Sequence, residues 1–187
     1  LLSYWNADRL LLDPFCGSGT LLFEAALIGL NLAPGLERTF AAESWPSIPS
    51  KLWQELREEA RSQADSTRKL SLLGYDQDPQ TTRLARQNLE RLGLSDRGIQ
   101  FETRSLDQLR TRARYGVIIT NPPYGERLSE LSEVEKLYAL LGQRLAPLMD
   151  TWSVYVITNH KDFSRHFGRK EERRRKLYNG LIECTYY

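Results

Sequence analysis

The stretch LLLDPFCGSGT, residues 10–20, decides the fold. Its opening apolar run is typical of a short buried strand, and Pro14 ends that run. Gly17 and Gly19 predict a tight turn, and the apolar residues between Leu21 and Gly29 then recur at helical spacing. A buried strand, a glycine-rich turn and a helix in this order predict the first unit of an α/β fold.

Apolar runs and helical stripes alternate through the rest of the chain. The Asn179-Gly180 pair near its end is a strong signal for a hairpin. Strands that alternate with helices indicate a mostly parallel sheet, and the hairpin adds one antiparallel strand. We therefore predict an α/β fold with a doubly wound, seven-stranded, mostly parallel sheet and a C-terminal antiparallel hairpin. The predicted strands are 10–13, 70–76, 99–103, 115–120, 152–158, 170–177 and 181–187, and helical stripes cover 21–29, 52–60, 79–92 and 134–145.

The composition excludes several classes of protein. The 187 residues include 26 basic and 24 acidic side chains, a net charge of +2, which excludes a histone-like polycation but not a locally basic face. Cys16 and Cys184 lie at opposite ends of the chain, so we expect no disulfide framework, no metal site and a reducing, cytoplasmic setting. The longest apolar stretch, residues 21–30, contains Glu24 and is far shorter than the roughly 20 residues that span a bilayer. We expect one domain and no membrane partner.

Two acidic residues stand where ligands bind parallel sheets, at the carboxyl ends of the strands. Asp13 ends the first strand, and the glycine turn after it lets the backbone approach a ligand closely. A P-loop is excluded because no Gly-Lys-Ser/Thr sequence follows, and Leu22 replaces the third glycine of the dinucleotide fingerprint. Asp76 ends the second strand, where a carboxylate can accept both hydroxyls of a ribose. Asp78 is the better helix N-cap, which leaves Asp76 for a ligand.

Asn121-Pro122-Pro123-Tyr124 directly follows the fourth predicted strand. Two prolines remove two backbone donors and stiffen the loop, which leaves carbonyl oxygens pointing outward. An amide oxygen, rigid carbonyl oxygens and an aromatic face together suit the capture of a planar NH2 group. A strand-terminating turn would explain the prolines but neither the asparagine nor the tyrosine. We therefore predict that these four residues form a catalytic loop.

The three turns DPFCGSGT, GYDQDP and NPPYGER resemble those of class I S-adenosylmethionine-dependent methyltransferases that act on exocyclic or amide nitrogens. With the terminal KLYNGLIEC hairpin, the chain from about Leu10 onward is similar to the catalytic domain of bacterial large-subunit rRNA guanine-N2 methyltransferases. The resemblance implies a Rossmann-like fold, S-adenosylmethionine as cofactor, rRNA as partner and methylation of the exocyclic N2 amine of a guanine in 23S rRNA. It also implies that residues 1–187 are a catalytic domain from a longer protein, with a THUMP RNA-binding region, or a second methyltransferase domain, and a helix before the first strand outside this sequence.

The resemblance also assigns roles to individual residues. At the position where the family has an acidic residue that contacts adenine, this sequence has Ser105. A backbone NH or Asp107 would therefore have to replace the missing carboxylate. The chemistry of the base adds three expectations to the resemblance: Tyr124 would stack on the base, Glu126 would accept from guanine N1 and N2, and Arg127 would serve O6 or a phosphate. The implied catalytic residues are Asn121, Pro122, Pro123 and Tyr124; the implied cofactor-binding residues are Asp13, Phe15, Cys16, Gly17, Gly19, Asp76, Gln77, Ser105, Leu106 and Asn121; the implied substrate-binding residues are Tyr124, Glu126 and Arg127.

Other functions share parts of this pattern. DNA or RNA adenine-N6 and protein glutamine-N5 methyltransferases also carry an NPPY motif, and a non-catalytic RNA-binding module could keep the same fold. Glu126 and Arg127 would equally fit a brace that holds the loop by pairing with each other or with a helix.

Three further features permit more than one interpretation. Residues 169–176 carry six cations and two glutamates, and they either contact rRNA phosphates or form a solvated strand. His160 and His166 have no obvious carboxylate motif and are interpreted as surface or structural residues. Cys16 as a methyl-accepting nucleophile is disfavoured because it lies inside the predicted cofactor turn.

Overall fold

Strands and helices alternate along the chain as the sequence predicts. The computed structural model describes residues 2–125 and 128–187, and for residues 128–130 the backbone alone. Within these residues the strands are β1 (Leu11–Asp13), β2 (Leu72–Asp76), β3 (Ile99–Thr103), β4 (Gly116–Thr120), β5 (Trp152–Thr158), β6 (Arg175–Asn179) and β7 (Ile182–Tyr186). The α-helices are α1 (Thr20–Gly29), α2 (Ser50–Ser62), α3 (Pro79–Arg91), α4 (Leu128–Leu145) and α5 (Phe163–Phe167).

The strands form one seven-stranded sheet in the order β3-β2-β1-β4-β5-β7-β6. All neighbours from β3 to β5 pair in parallel, and β7 pairs antiparallel with both β5 and β6. The chain winds from β1 toward β3 on one side and from β4 toward β6 on the other, so the topological switch lies between β1 and β4. Ligands of such sheets bind outside the carboxyl ends of the strands at this point.

Two apolar layers cover the two faces of the sheet. Successive residues of β1 point to opposite faces, so Leu11 packs in the cluster with α1 and α3, while Leu12 packs in the cluster with α4 and α5. The same alternation separates Val117 from Ile118 on β4. Because both faces of these central strands are covered, their sequences are continuous apolar runs rather than alternating ones.

The hairpin forms one residue later than the sequence predicts. Asn179 pairs with Ile182, so the two loop residues are Gly180 and Leu181 rather than Asn179 and Gly180. Gly180 has φ 61° and takes the first loop position, which is where a type II′ turn requires a positive φ. Glycine fills that position without strain, and Asn179 is left in the ladder with its side chain beside the loop that follows β4.

The second helical stripe produces a helix that lies on the surface. Helix α2 buries none of its residues, and Leu52 and Leu56 remain 44% and 49% exposed. Arg57 of this helix pairs with Glu43 at 2.6 Å. None of the helices in the described part of the chain combines the length and apolar character needed to cross a membrane.

Candidate active site

Asp13 lies at the end of β1 and is fully buried at the switch point. Its Oδ1 accepts a hydrogen bond from the Thr120 hydroxyl at 2.6 Å and another from the Phe15 backbone N–H at 3.1 Å. Burial raises the pKa of Asp13 to about 7, and the nearby carboxylate of Asp76 adds to that rise. The Thr120 bond also fixes the end of β4 to the end of β1, which sets where the residue after Thr120 emerges.

The glycine turn after β1 is attached to the end of β2. The Cys16 N–H donates to the Tyr75 carbonyl at 2.9 Å, and the Gly17 N–H donates to Asp76 Oδ2 at 3.1 Å. Gly17 has φ +53°, and a Cβ added there would meet open space, whereas a Cβ on Gly19 would lie 2.7 Å from the ring of Phe101. Gly19 therefore serves packing against β3, and the backbone at Gly17 borders the space available to a ligand.

Asp76 has a structural task that the sequence did not reveal. Besides Gly17, it accepts from the Asp78 N–H at 3.0 Å, while Asp78 caps α3 by accepting from the Gln80 N–H at 2.9 Å. The prediction that Asp78 is the N-cap is confirmed, but Asp76 is not left free by it. A carboxylate has about four lone-pair sites, so Asp76 can brace the turn and still accept from a ligand.

The Asn121-Pro122-Pro123-Tyr124 loop leaves β4 at the same edge of the sheet, and a buried tyrosine holds it. The Tyr138 hydroxyl of α4 donates to the Pro123 carbonyl at 2.8 Å and lies 2.8 Å from the Thr158 hydroxyl. Burial raises the pKa of Tyr138 to about 12. The expectation that the loop carbonyls point outward is therefore wrong for Pro123. Within the described part of the chain, no hydrogen bond engages the Pro122 carbonyl, and the Asn121 side chain is exposed.

The C-terminal hairpin holds the tyrosine of this loop. The thiol of Cys184, buried in β7, donates to the Tyr124 hydroxyl at 3.5 Å. Burial raises the pKa of Tyr124, and the side chains of Asn179 and Asn121 lie near its hydroxyl. Sequence reasoning missed Tyr138, Cys184 and Asn179. No local signal could have found them, because Cys184 lies 60 positions from the tyrosine that it contacts.

The remaining predicted cofactor residues lie around the same edge. Cys16 is buried, and burial together with the carboxylates of Asp13 and Asp76 raises the pKa of its thiol to about 12, which rules it out as a nucleophile. Phe15 packs against the α4 side of the sheet. Segment 104–106 is attached to the end of β2, because the Arg104 backbone N–H donates to the Asp76 carbonyl at 2.8 Å.

The other predicted site residues lie beside Asp76, in the segment after β3, or outside the described part of the chain. Gln77 is exposed beside Asp76, and Ser105 precedes the buried Leu106 at the start of a short 3-10 turn. Glu126 and Arg127, the predicted substrate-binding pair, lie outside the described residues.

The sheet order and the site at its switch point define a class I methyltransferase fold. The antiparallel β7 lies between β5 and β6, and the Asp13 turn, the acid that ends β2 and the loop after β4 lie at one edge of the sheet. The chain belongs to the family of RMKL-like methyltransferase domains (UPF0020), whose model matches residues 1–187.

Relatives named as RNA methyltransferases are similar over nine-tenths or more of the chain. YpsC of Bacillus subtilis (strain 168), assigned as an RNA methyltransferase, is 45% identical over 186 residues, which cover 100% of this chain and 48% of YpsC. The ribosomal RNA large subunit methyltransferase K/L of Syntrophotalea carbinolica is 39% identical over 181 residues, covering 93% of this chain and 25% of that protein. The chain thus spans between a quarter and a half of these relatives.

Solved structures agree in fold. SMU.472, assigned as a methyltransferase and crystallised with SAH, superimposes with a TM-score of 0.94 at 44% identity, over 100% of this chain and 49% of that one. A predicted N6-adenine-specific DNA methylase from Listeria monocytogenes superimposes with a TM-score of 0.91 at 40% identity, over 100% of this chain and 48% of that one.

We predict that the buried Asp13 makes stability fall with rising pH. The folded protein holds this proton with a pKa of about 7 against an ordinary value of 3.8, so the free energy of unfolding decreases between about pH 4 and pH 7. Between pH 5 and pH 8 the loss from this group is about 2–3 kcal/mol. Urea unfolding at both pH values measures it.

Asp13→Asn is the matched control, since it keeps an oxygen for Thr120 and Phe15 but cannot ionise. The variant should lose this part of the pH dependence. An unchanged difference between pH 5 and pH 8 would show that Asp13 is already ionised in the folded protein at pH 5.

Proposed function

We propose that this chain is the catalytic domain of an S-adenosylmethionine-dependent rRNA methyltransferase that methylates the exocyclic N2 amine of a guanine in 23S rRNA. One observation carries the proposal. The buried hydrogen bond from Thr120 to Asp13 ties the end of β4 to the end of β1, which supports a site shared by the loop that we propose binds the amine and the turn that we propose binds the cofactor. An rRNA substrate would place the protein in the cytoplasm.

The residues around the turn suit S-adenosylmethionine. Asp13 offers a buried carboxylate for an ammonium group, the open space at Gly17 admits a ligand close to the backbone, and Asp76 offers a carboxylate for ribose hydroxyls. The bound SAH of the related SMU.472 structure supports this assignment. When bound, the cofactor supplies an electrophilic methyl group on its sulfonium. The proposed cofactor-binding residues are Asp13, Phe15, Cys16, Gly17, Gly19, Asp76, Gln77, Ser105, Leu106 and Asn121.

The NPPY loop suits the activation of an exocyclic amine. Such an amine is a poor nucleophile because its lone pair is delocalised into the ring. The exposed Asn121 oxygen and the Pro122 carbonyl oxygen would accept its two hydrogens, which favours the pyramidal amine and directs its lone pair toward the methyl group. Because Tyr138 already engages the Pro123 carbonyl, that oxygen holds the loop rather than the substrate. Catalysis by this route is positioning with electrostatic stabilisation.

RNA as substrate is supported by relatives and by the charge of one segment. The relatives are named as RNA and large-subunit rRNA methyltransferases. Arg173 and Arg175 are exposed before and within β6, where they can contact phosphates. The target base must leave its helix to reach Tyr124, on which it would stack. Since the chain spans a quarter of the K/L relatives, RNA capture by a linked THUMP region or second methyltransferase domain is part of the proposal.

The choice of guanine rests on residues after the loop. Guanine presents donors at N1 and N2, which a carboxylate can accept, whereas adenine presents an acceptor at N1 that a carboxylate repels. Glu126 would be this carboxylate, and Arg127 would serve O6 or a phosphate. Adenine-N6 methylation is the second candidate function, because the relative from Listeria monocytogenes is described as an N6-adenine-specific DNA methylase. A non-catalytic RNA-binding module is disfavoured by the complete Asn121–Tyr124 loop.

Asp76→Ala should weaken S-adenosylmethionine binding by about one to two decades. The variant loses a charge-assisted hydrogen bond to ribose, which contributes roughly 1.5–3 kcal/mol. Asp78→Ala is the matched control, because it removes a carboxylate two residues away and should cost about 1 kcal/mol of helix stability without changing cofactor affinity. Calorimetric titration measures both. Equal affinity of the parent and Asp76→Ala would remove the ribose assignment.

Asn121→Ala should lower methyl transfer roughly 10²–10³-fold and should change cofactor affinity far less, although Asn121 also borders the proposed cofactor site. The reason is that Asn121 acts on the accepting amine. Asn159→Ala, which changes an exposed asparagine after the neighbouring β5, serves as the control. Methyl incorporation into deproteinised 23S rRNA gives the rate, and mass spectrometry of the nucleosides identifies the product.

The two readouts separate the parts of the proposal. N2-methylguanosine as product supports the guanine assignment, and N6-methyladenosine replaces it with the second candidate. Activity of Asn121→Ala within twofold of the parent would show that the NPPY loop is not the active site.

A further inference from the structure

The two histidines of the chain meet one carboxylate in space. Glu135 of α4 lies between His160, which follows β5, and His166 of α5. The Nε2 atoms of His160 and His166 lie 3.6 Å and 3.4 Å from the same oxygen, Glu135 Oε1. The sequence shows no carboxylate motif beside these histidines because their carboxylate is supplied by a helix 25 positions earlier in the sequence than His160.

These distances fit a shared ion better than direct hydrogen bonds. A hydrogen bond from an imidazole N–H to a carboxylate spans about 2.7–3.2 Å, and both distances are longer. Zinc binds histidine nitrogen and carboxylate oxygen at about 2.0–2.2 Å, so two ligands of a tetrahedral zinc lie about 3.4 Å apart. All three ligand atoms lie within 4.8 Å of one another, so a small inward movement of the side chains brings each within bonding distance of one ion.

Burial of His160 gives an independent reason for a ligand. Its side chain is only 10% exposed, and its Nδ1 has no hydrogen-bond partner in the described part of the chain. The ring is held at right angles to the rings of Tyr138 and His166. Burying an imidazole with few hydrogen bonds costs free energy, and a metal ion on Nε2 would give this buried ring a strong polar interaction.

We infer that Glu135, His160 and His166 form a binding site for one Zn²⁺ ion. Two imidazoles and one carboxylate are the donor set of zinc sites that keep a fourth position open, whereas Mg²⁺ and Ca²⁺ prefer oxygen ligands alone. Glu135 is 40% exposed and His166 is 23% exposed, so the fourth position faces water and the ion can enter from solvent. No zinc-type spacing in the sequence indicates this site.

The ion would strengthen the support of the NPPY loop. It would link α4, α5 and the segment after β5. The His160 N–H donates to the Thr158 hydroxyl at 3.1 Å, and Thr158 bonds the Tyr138 hydroxyl that holds Pro123. Bound zinc therefore stabilises the folded protein at the edge of the sheet where the loop lies, without contacting the proposed reacting atoms.

The test is zinc binding by the chain without a histidine tag. Competition with a chromophoric chelator should show one Zn²⁺ per chain, and replacement by Co²⁺ should give the visible absorption bands of a four-coordinate ion. A hundredfold excess of zinc over its Kd should raise the Tm by roughly 5 °C or more, while Mg²⁺ should not. These readouts do not depend on methyl transfer.

Variants connect the ion to the three residues. Glu135→Gln and His166→Asn should each lower zinc affinity at least tenfold, whereas Glu133→Gln, an exposed glutamate on the same helix, should not. Circular dichroism confirms that each variant is folded. Less than one equivalent bound by the parent, or a smaller loss of affinity in either Glu135→Gln or His166→Asn, would overturn the inference.

Discussion

The hydrogen bond of 2.6 Å between the Thr120 hydroxyl and Asp13 is the interaction on which the site depends. Strands β1 and β4 are neighbours in the sheet, and the strands that follow each of them are added on opposite sides. The carboxyl ends of β1 and β4 therefore open a crevice between them. The bond joins the two sides of that crevice inside the protein, where no water competes for it. It thereby fixes the position of the Gly17 turn relative to the loop that begins at Asn121.

The groups that build this site reduce the stability of the fold. A carboxylate as buried as Asp13 is costly to ionise, and a second carboxylate, Asp76, lies close enough to raise its pKa further. A fold selected for stability alone would place an apolar residue at the end of β1. Retention of paired acids at a switch point fits the proposed binding of a positively charged ligand, which would offset the repulsion between them.

The sequence predicted the fold far better than the contacts of the site. Strand and helix positions follow from local patterns, as the exact agreement of β5 with the apolar run 152–158 illustrates. Contacts such as Tyr138 with Pro123 and Cys184 with Tyr124 depend on which elements pack together, and no local pattern encodes that. The half-exposed leucines of α2 show a second limit of local patterns. Helical spacing of apolar residues indicates that a helix forms, but it does not indicate which part of the protein covers that helix.

A crystal structure of this chain with SAH would locate the cofactor site directly. We expect the ligand to occupy the space beside Gly17, with its ribose hydroxyls bonded to Asp76 and its sulfur facing Asn121. A cavity of about 730 Å³ lies elsewhere, between residues 169–175 and strand β5. SAH bound in that cavity, or bound without contact to Asp76 and Asn121, would show that the edge of the sheet at Asp13 is not the cofactor site.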